Sequence, residues 1–518
     1  MSESAGARDG LSSVTRGTLY LFVATLCFIG LNFVARVILV RTISVADWNA
    51  YSFGLALISF VIAVGTLGLP TAIARSLPYA SSDAQRRSMV RAALIIGGAA
   101  AFVSGLLLEL LGPWIVASLH FPGLGPVLVA FPIAASATIA VTLLAAIFQG
   151  YEDVRPNALF IQVLPPGLFI AFLLGAYLLP PTGVDYGSAL IAYTAANVVA
   201  LLLAIGYFVW GLRRRLPAGP GAPGAARTLL VFAAPLLLVA TMSALTSVGD
   251  TIVLGAFDTG GVGTYANSVT LARLVTVGVG AAAYIFLPVA ARLLRQNDLP
   301  AIGVTYVTVT KWMSLFSLPL FLLFVFVPSR SLDLVYGSSY ASVVLPLQIV
   351  ASGAFLTTAL GPATNAQVAF GQTRWLAINA VIAGVLDIGT AILLVPHYGL
   401  TGAAVAWAAS NITYVGLSLG QLTYFQGVHP FRPHYVVPLI VTAIPVAAVL
   451  VLAPWTWPLW ALPVVGLGIA LLFVLVILLT RSVDEGDQLL LGALENLFGR
   501  PLPLLRRIGR LGLPRGKS

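Results

Sequence analysis

Six ionisable side chains interrupt long apolar runs in this chain: Arg36, Glu109, Asp250, Arg273, Lys311 and Asp387. A charge at the centre of a bilayer costs at least ~2.5–3.5 kcal/mol, so such a residue is expected to face a cavity or a partner. Arg36, Glu109 and Asp250 lie toward the ends of their runs, where a long side chain reaches the headgroups. Arg273 and Asp387 lie near the middle of theirs. Lys311 is nearer a surface and is expected to reach water unaided. A guanidinium binds phosphate oxygens bidentately, so Arg273 is a candidate phosphate site, the alternative being a buried ion pair that fixes helix packing. Arg36 and Asp250, of opposite charge, are a candidate gate. Asp387 has Thr390 nearby in sequence and Asn411 and Thr413 on the next run. Carboxylate, amide and hydroxyl oxygens together suit a Na⁺ site or a proton relay, and equally ordinary helix–helix hydrogen bonding.

The elements that must carry these groups are helices in lipid. Of 518 residues, 59% are hydrophobic and 8% charged, against roughly 25% charged in a soluble domain. A chain so poor in charge has no means of covering a water-facing surface. A spanning helix needs about 20 mostly apolar residues. Runs of that kind fall near 18–40, 50–70, 91–117, 126–149, 158–180, 187–211, 229–256, 264–290, 303–328, 342–370, 375–396, 400–425, 435–453 and 459–480. The expected fold is therefore an all-α membrane protein of about fourteen transmembrane helices.

The net charge of +10 does not indicate a nucleic-acid partner, because the basic residues sit in short loops between the apolar runs. With the N-terminus inside, arginines and lysines gather on the cytoplasmic side. Only Arg36, Arg41 and Arg330 fall on the other side, with Arg273 and Lys311 inside spans. The first apolar run lacks a small-residue cleavage site and is read as a retained helix. The single cysteine, Cys27, excludes an internal disulfide, and the four histidines lie at or near loops with no cysteine cluster, so no metal and no cofactor are expected. The expected loops on the outer side are short, which counts against a glycan polymerase or transferase working there.

The chain reads as duplicated. RVILVRTISVADWNAY (36–51) aligns without a gap to DTIVLGAFDTGGVGTY (250–265), and each is followed by an apolar helix closing in Leu-Pro and an arginine. Arg155 and Arg374 open the fifth and eleventh spans in the same way. Six spans per half is an even number, so the repeat is parallel, with a cavity expected between lobes. The expected organisation is an N-lobe over 1–215 and a Pro/Gly-rich cytoplasmic linker over 216–228. A C-lobe follows over 229–430, then spans 13–14 over 431–480, and an amphipathic, basic cytoplasmic tail over 481–518.

Three stretches carry a family resemblance. They are RVILVRTISVADWNAYSFG with TLGLPTAIAR (36–54, 66–75), DTIVLGAFDTGGVGTYANSVTLARL with FLPVAARL (250–274, 286–293), and GQTRWLAINAVIAGVLDIGTAILLVPHYGLTGAAV (371–405). They resemble the polysaccharide transporters, or oligosaccharide flippases, of the multidrug/oligosaccharidyl-lipid/polysaccharide exporter superfamily. The resemblance implies two parallel-repeat six-helix lobes plus two C-terminal helices. It also implies alternating access and export of a prenyl-linked phosphate or diphosphate sugar across the cytoplasmic membrane. In the related lipid II flippases, basic residues on the first and eighth spans line the cavity, and Arg36 and Arg273 occupy similar places. Acidic residues on the seventh and eleventh spans form a sodium site there, which Asp250 and Asp387 resemble. The chain departs from the pattern in having Asp at 387, where Asn is frequent, and Ala391, where a second Asn is frequent. The expected protein is thus a non-enzymatic flippase, a monomer among membrane lipids, with Na⁺ or H⁺ coupling. The alternative is a multidrug cation antiporter of the same superfamily.

Overall fold

Lipid offers no hydrogen bonds, so each spanning segment must satisfy its backbone internally, and helix is the expected result. The computed structural model bears this out. It describes residues 2–121, 123–178, 184–215, 224–340, 343–453, 458–483 and 486–487, and among them every regular element is helical. Most of the linker (216–223) and of the tail (488–518) lies outside the described residues. Twelve helices among those described are long and apolar enough to cross a membrane. Two further segments, 262–295 and 400–426, occupy the remaining expected spans. The first is broken into two shorter helices, and the second carries Ser410, Asn411, Thr413, Ser418, Gln421 and Thr423. The all-α fold of about fourteen spans therefore stands.

The chain divides into two compact units, Met1–Gly263 and Thr264–Ser518. The first contains α1 (Ser2–Thr42), α2 (Val45–Gly65), α3 (Leu69–Ser76), α4 (Asp83–Leu119), α5 (Leu124–Gly150), α6 (Leu164–Leu178), α7 (Tyr186–Arg215) and α8 (Ala225–Phe257). One π-helical stretch, Asn157–Val163, leads into α6. The centre is α5, which packs on α2, α3, α4 and α7. Small residues permit the close crossings typical of lipid-embedded helices. A Cβ on Gly97 would meet Leu143 at 2.3 Å, and one on Gly255 of α8 would meet Phe53 of α2 at 2.2 Å. Tyr51, Phe131 and Tyr193, each in the first two turns of its helix, form a ring cluster between α2, α5 and α7.

The second span bends where α2 passes into α3. Gly68 sits at φ +68°, and a Cβ there would meet Ala233 O at 2.7 Å and Leu237 N at 2.8 Å, so only glycine lets α3 approach the α8 backbone. By contact α8 packs on α2, α3 and α4, within the first unit. The C-lobe expected over 229–430 groups that seventh span with the eighth to twelfth instead.

The next helix, α9 (Val262–Val275), leads into the second unit. It is followed by α10 (Val277–Arg295), α11 (Leu299–Phe326), α12 (Pro328–Tyr336), α13 (Val344–Ala359), α14 (Ala363–Ala369), α15 (Thr373–Tyr398), α16 (Leu400–Gln426), α17 (Pro433–Leu452) and α18 (Ala461–Leu479). Here α11 is the spine, touching α10, α13, α17 and α18. The hairpin of α15 and α16 closes tightly, since a Cβ on Gly402 would lie 2.6 Å from the Leu394 carbonyl. The thirteenth span is tied in by polar contacts as well. Tyr435 Oη lies 3.0 Å from Ser314 Oγ and donates to Ala359 O at 3.2 Å.

Candidate functional site

In the first unit the chemistry gathers where α1 ends and α2 begins. Arg36 is half-buried on α1, and its guanidinium carbon lies 5.1 Å from the centroid of the Trp48 ring. Trp48 is the first buried residue of α2, after a Ser44 cap that accepts from Asp47 N. Its indole stacks on Tyr51, three residues on, at 5.7 Å, and its Nε1 donates to Gly263 O at 3.1 Å. Asn49 holds the same turn at two points, donating from Nδ2 to Gly260 O (2.8 Å) and accepting from Gly263 N (2.7 Å). Asp250 of α8 is buried at 1% exposure. Its Oδ1 accepts from Thr251 N at 2.8 Å, with Thr251 Oγ1 at 3.4 Å.

Sequence reasoning missed a set of neutral polar groups exposed along the same helices: Asn32 on α1, Ser59 on α2, and Ser243 and Ser247 on α8. Asn32 Nδ2 donates to Phe28 O, Ser59 Oγ to Leu55 O and Ser247 Oγ to Ser243 O. Those bonds engage the side-chain donors of Asn32, Ser59 and Ser247. The signal was present as spacing, since 32 and 36, and 243, 247 and 250, recur at helical intervals on one face.

In the second unit, Arg273 is exposed near the end of α9. The eighth span breaks three residues later. Thr276 donates to Arg273 O from both N (3.1 Å) and Oγ1 (2.8 Å), Ser317 Oγ caps Val275 O at 2.6 Å, and α10 restarts at Val277. A broken helix within a membrane is tolerated where protein groups satisfy the freed backbone or water reaches it, and an arginine at the C-terminal end of α9 suits the helix dipole.

Asp387 is fully buried on α15. Ser410 Oγ of α16 lies 3.1 Å from its Oδ1 and 3.0 Å from Trp407 O, within reach of donating to either. The expected neighbours are placed differently: Asn411 Nδ2 donates to Trp407 O at 2.9 Å, and Thr413 is half-buried on the same helix. Ser410, which lies within hydrogen-bond reach of the carboxylate, stands one residue before the expected asparagine. Among the described residues no group of three or more His, Cys, Asp and Glu side chains is placed to hold a metal ion.

Lys311 corrects an expectation. It does not reach water: it is fully buried on α11 and donates to Asp487 Oδ2 at 2.7 Å and Ser482 O at 2.8 Å. Trp312 Nε1 donates to the second oxygen of Asp487 at 2.6 Å. The chain after α18 folds back to α11, and an ammonium in a low-dielectric interior takes the nearest carboxylate. Glu109 is exposed on α4, as its position toward the end of the run suggested.

A family model described as polysaccharide biosynthesis protein matches residues 14–294, more than half of the chain. No curated protein matches the sequence. Among solved structures, a lipid II flippase MurJ in an inward closed conformation is similar, with a TM-score of 0.69 and 15% identity over 88% of this chain and 97% of that one. An inward-facing multidrug resistance MATE family transporter of the MOP superfamily gives a TM-score of 0.60 at 14% identity, over 79% of this chain and 97% of that one. A MOP superfamily transporter from Pyrococcus furiosus, described by the reverse polarity of its binding pocket, gives 0.52 at 14% identity, over 79% and 94%. At these identities the likeness is one of fold.

Proposed function

The chain belongs to the polysaccharide biosynthesis protein family and has a membrane transporter fold; from that premise we propose that it flips a prenyl-linked phosphate or diphosphate oligosaccharide across the cytoplasmic membrane by alternating access. One observation carries the reading. Of the ionisable side chains within spans, the arginines are the accessible ones near the candidate sites: Arg273 is exposed and Arg36 half-buried. The carboxylates Asp250 and Asp387 are buried at 1% and 0% exposure. At either residue an anionic substrate meets a guanidinium able to grip phosphate oxygens bidentately. A cationic drug would meet a positive charge at either and find the carboxylates covered.

Arg36 in the first unit and Arg273 in the second are each a guanidinium for phosphate oxygens, and in the first unit the exposed Asn32, Ser59, Ser243 and Ser247 offer oxygens of the kind that sugar hydroxyls bond. The lipid tail stays in the bilayer, so transport needs no chemical step. Asp387 with Ser410 is the coupling group, binding H⁺ or Na⁺ in one state and releasing it in the other.

Reconstitution tests this. Liposomes containing the protein and a fluorescent prenyl-diphosphate oligosaccharide should expose the glycan to an external lectin at a rate set by the protein. No exposure with any prenyl-linked glycan, together with efflux of an organic cation, would overturn it in favour of a multidrug cation antiporter, for which the MATE-like fold is the argument.

A further inference from the structure

Arg36 is the residue on which the proposed reading leans, and its guanidinium is placed by an aromatic ring that is itself clamped. We propose that Trp48 is the positioning residue for Arg36, and that its indole, fixed on the 260–263 turn, sets where the substrate's phosphate is met. The inference rests on the flippase reading but makes a separate claim.

Three observations combine. The indole is almost fully buried, at 1% exposure, and Arg36 lies over it at 5.1 Å, within the range of a cation–π contact. The ring has no freedom to turn away, since its Nε1 is bonded to Gly263 O and it stacks on Tyr51. The next residue, Asn49, closes both hydrogen-bonding ends of its amide on Gly260 and Gly263. The turn is built to accept this grip: a Cβ on Gly263 would lie 2.4 Å from Trp48 Cδ1 and 2.7 Å from Asn49 Oδ1.

In the gapless repeat of 36–51 with 250–265, position 49 stands opposite position 263. Asn49 therefore bonds the very residue that is its repeat counterpart. In that alignment the first stretch carries the aromatic and the amide, and the second a glycine that leaves room for them. An arginine free on a long side chain loses about 2 kcal/mol of rotamer freedom on being fixed. Resting it on a rigid ring places the charge before the phosphate arrives.

The test uses the full-length protein in liposomes, with a fluorescent prenyl-diphosphate oligosaccharide as probe. The half-saturating probe concentration and the maximal flipping rate are read separately. Trp48→Leu should raise the half-saturating concentration about 5- to 10-fold, as expected for losing a partly desolvated cation–π contact, with the maximal rate within about 2-fold of the parent. Trp48→Phe keeps a ring face and should shift it less than about 3-fold. Gly263→Ala leaves Arg36 and Trp48 intact but displaces the ring, and should reproduce the Trp48→Leu effect; it serves equally if Trp48→Leu does not fold. The discriminating result is the double variant: Trp48→Leu added to Arg36→Ala should cost nothing further. Additive effects, or Trp48→Phe as poor as Trp48→Leu, would overturn the positioning role while leaving Arg36 as a substrate group. A fully active Arg36→Ala would instead remove Arg36 from the substrate site altogether.

Discussion

Removing the carboxylate of Asp487 should be among the most damaging single changes in the second unit, although the residue lies beyond the last span. Lys311 is fully buried and has two acceptors, Asp487 Oδ2 at 2.7 Å and Ser482 O at 2.8 Å. Asp487→Ala leaves the ammonium facing one neutral carbonyl and also strips Trp312 Nε1 of its acceptor. Breaking a buried pair from one side costs about 3–5 kcal/mol, because the remaining charge is still desolvated. At roughly 2 °C per kcal/mol for a unit of this size, the unfolding midpoint of the detergent-solubilised protein should fall by about 6–10 °C. Lys311→Met alone should cost less, since the carboxylate it leaves is still bonded to Trp312. The double variant Lys311→Met/Asp487→Leu should recover most of the loss, buried pairs being replaceable by apolar residues of similar volume. A midpoint unchanged in Asp487→Ala would refute the pairing, and a double variant worse than either single would refute the account of the cost as an uncompensated charge.

Three further outcomes follow from the same geometry. Arg273→Ala should raise the half-saturating substrate concentration by about 10- to 150-fold, the loss of ~1.5–3 kcal/mol of charge-assisted hydrogen bonding, without altering membrane insertion; parental flipping kinetics would remove its role. Gly68→Ala should destabilise by about 2 kcal/mol or more, since it puts a side chain at a left-handed φ and against fixed α8 backbone; a shift under a few tenths in thermal unfolding would refute this. Asp185, in the connection before α7, accepts from Ser188 N at 2.8 Å while Ser188 Oγ accepts from Asp185 N at 2.9 Å. Hydrogen bonds from the Ser188 side chain and then its backbone hold the Asp185 carboxyl below the ordinary carboxylate value. A lowered folded pKa gives a contribution present above the ordinary value and lost as pH falls through the folded one, so protection of the first α7 amides from hydrogen exchange should decline below about pH 4 and be insensitive to pH in Asp185→Asn.

The span pattern was legible because lipid leaves one solution to backbone hydrogen bonding, and the apolar runs report it directly. The two segments that fall short of that signature are the ones with polar work in them. The eighth span breaks at Thr276, where hydroxyls of Thr276 and Ser317 take up backbone carbonyls. The twelfth carries the Ser410 that reaches Asp387. Sequence located the charged residues and missed their partners, because a partner such as Ser410 or Trp48 is ordinary in type and defined only by its neighbours across a helix interface. Lys311 shows the limit most clearly. Its depth in the run suggested contact with water, and nothing local announces an aspartate 176 residues later.

Burial, which the sequence cannot state, is what separates the two functional readings. Four charges of mixed sign at 36, 250, 273 and 387 are compatible with a site for anions or for cations. A group acts on a substrate in proportion to how far it is free of other shielding, and acts on the protein's own equilibrium when it is enclosed. Exposure divides the four by sign: Arg273 is exposed and Arg36 half-buried, whereas the carboxylates are enclosed at 1% and 0% exposure. An enclosed carboxylate answers to a proton or a small ion, which can follow it inside, and not to a bulky cation. On the proposed reading, substrate recognition falls to Arg36 and Arg273 and energy coupling to Asp387. Because Asp387→Asn keeps a Ser410 acceptor in place, it should leave unenergised flipping intact and abolish only the response to an imposed proton or sodium gradient. A variant that instead loses substrate affinity would show that the buried carboxylate belongs to the binding site, and that accessibility was the wrong criterion.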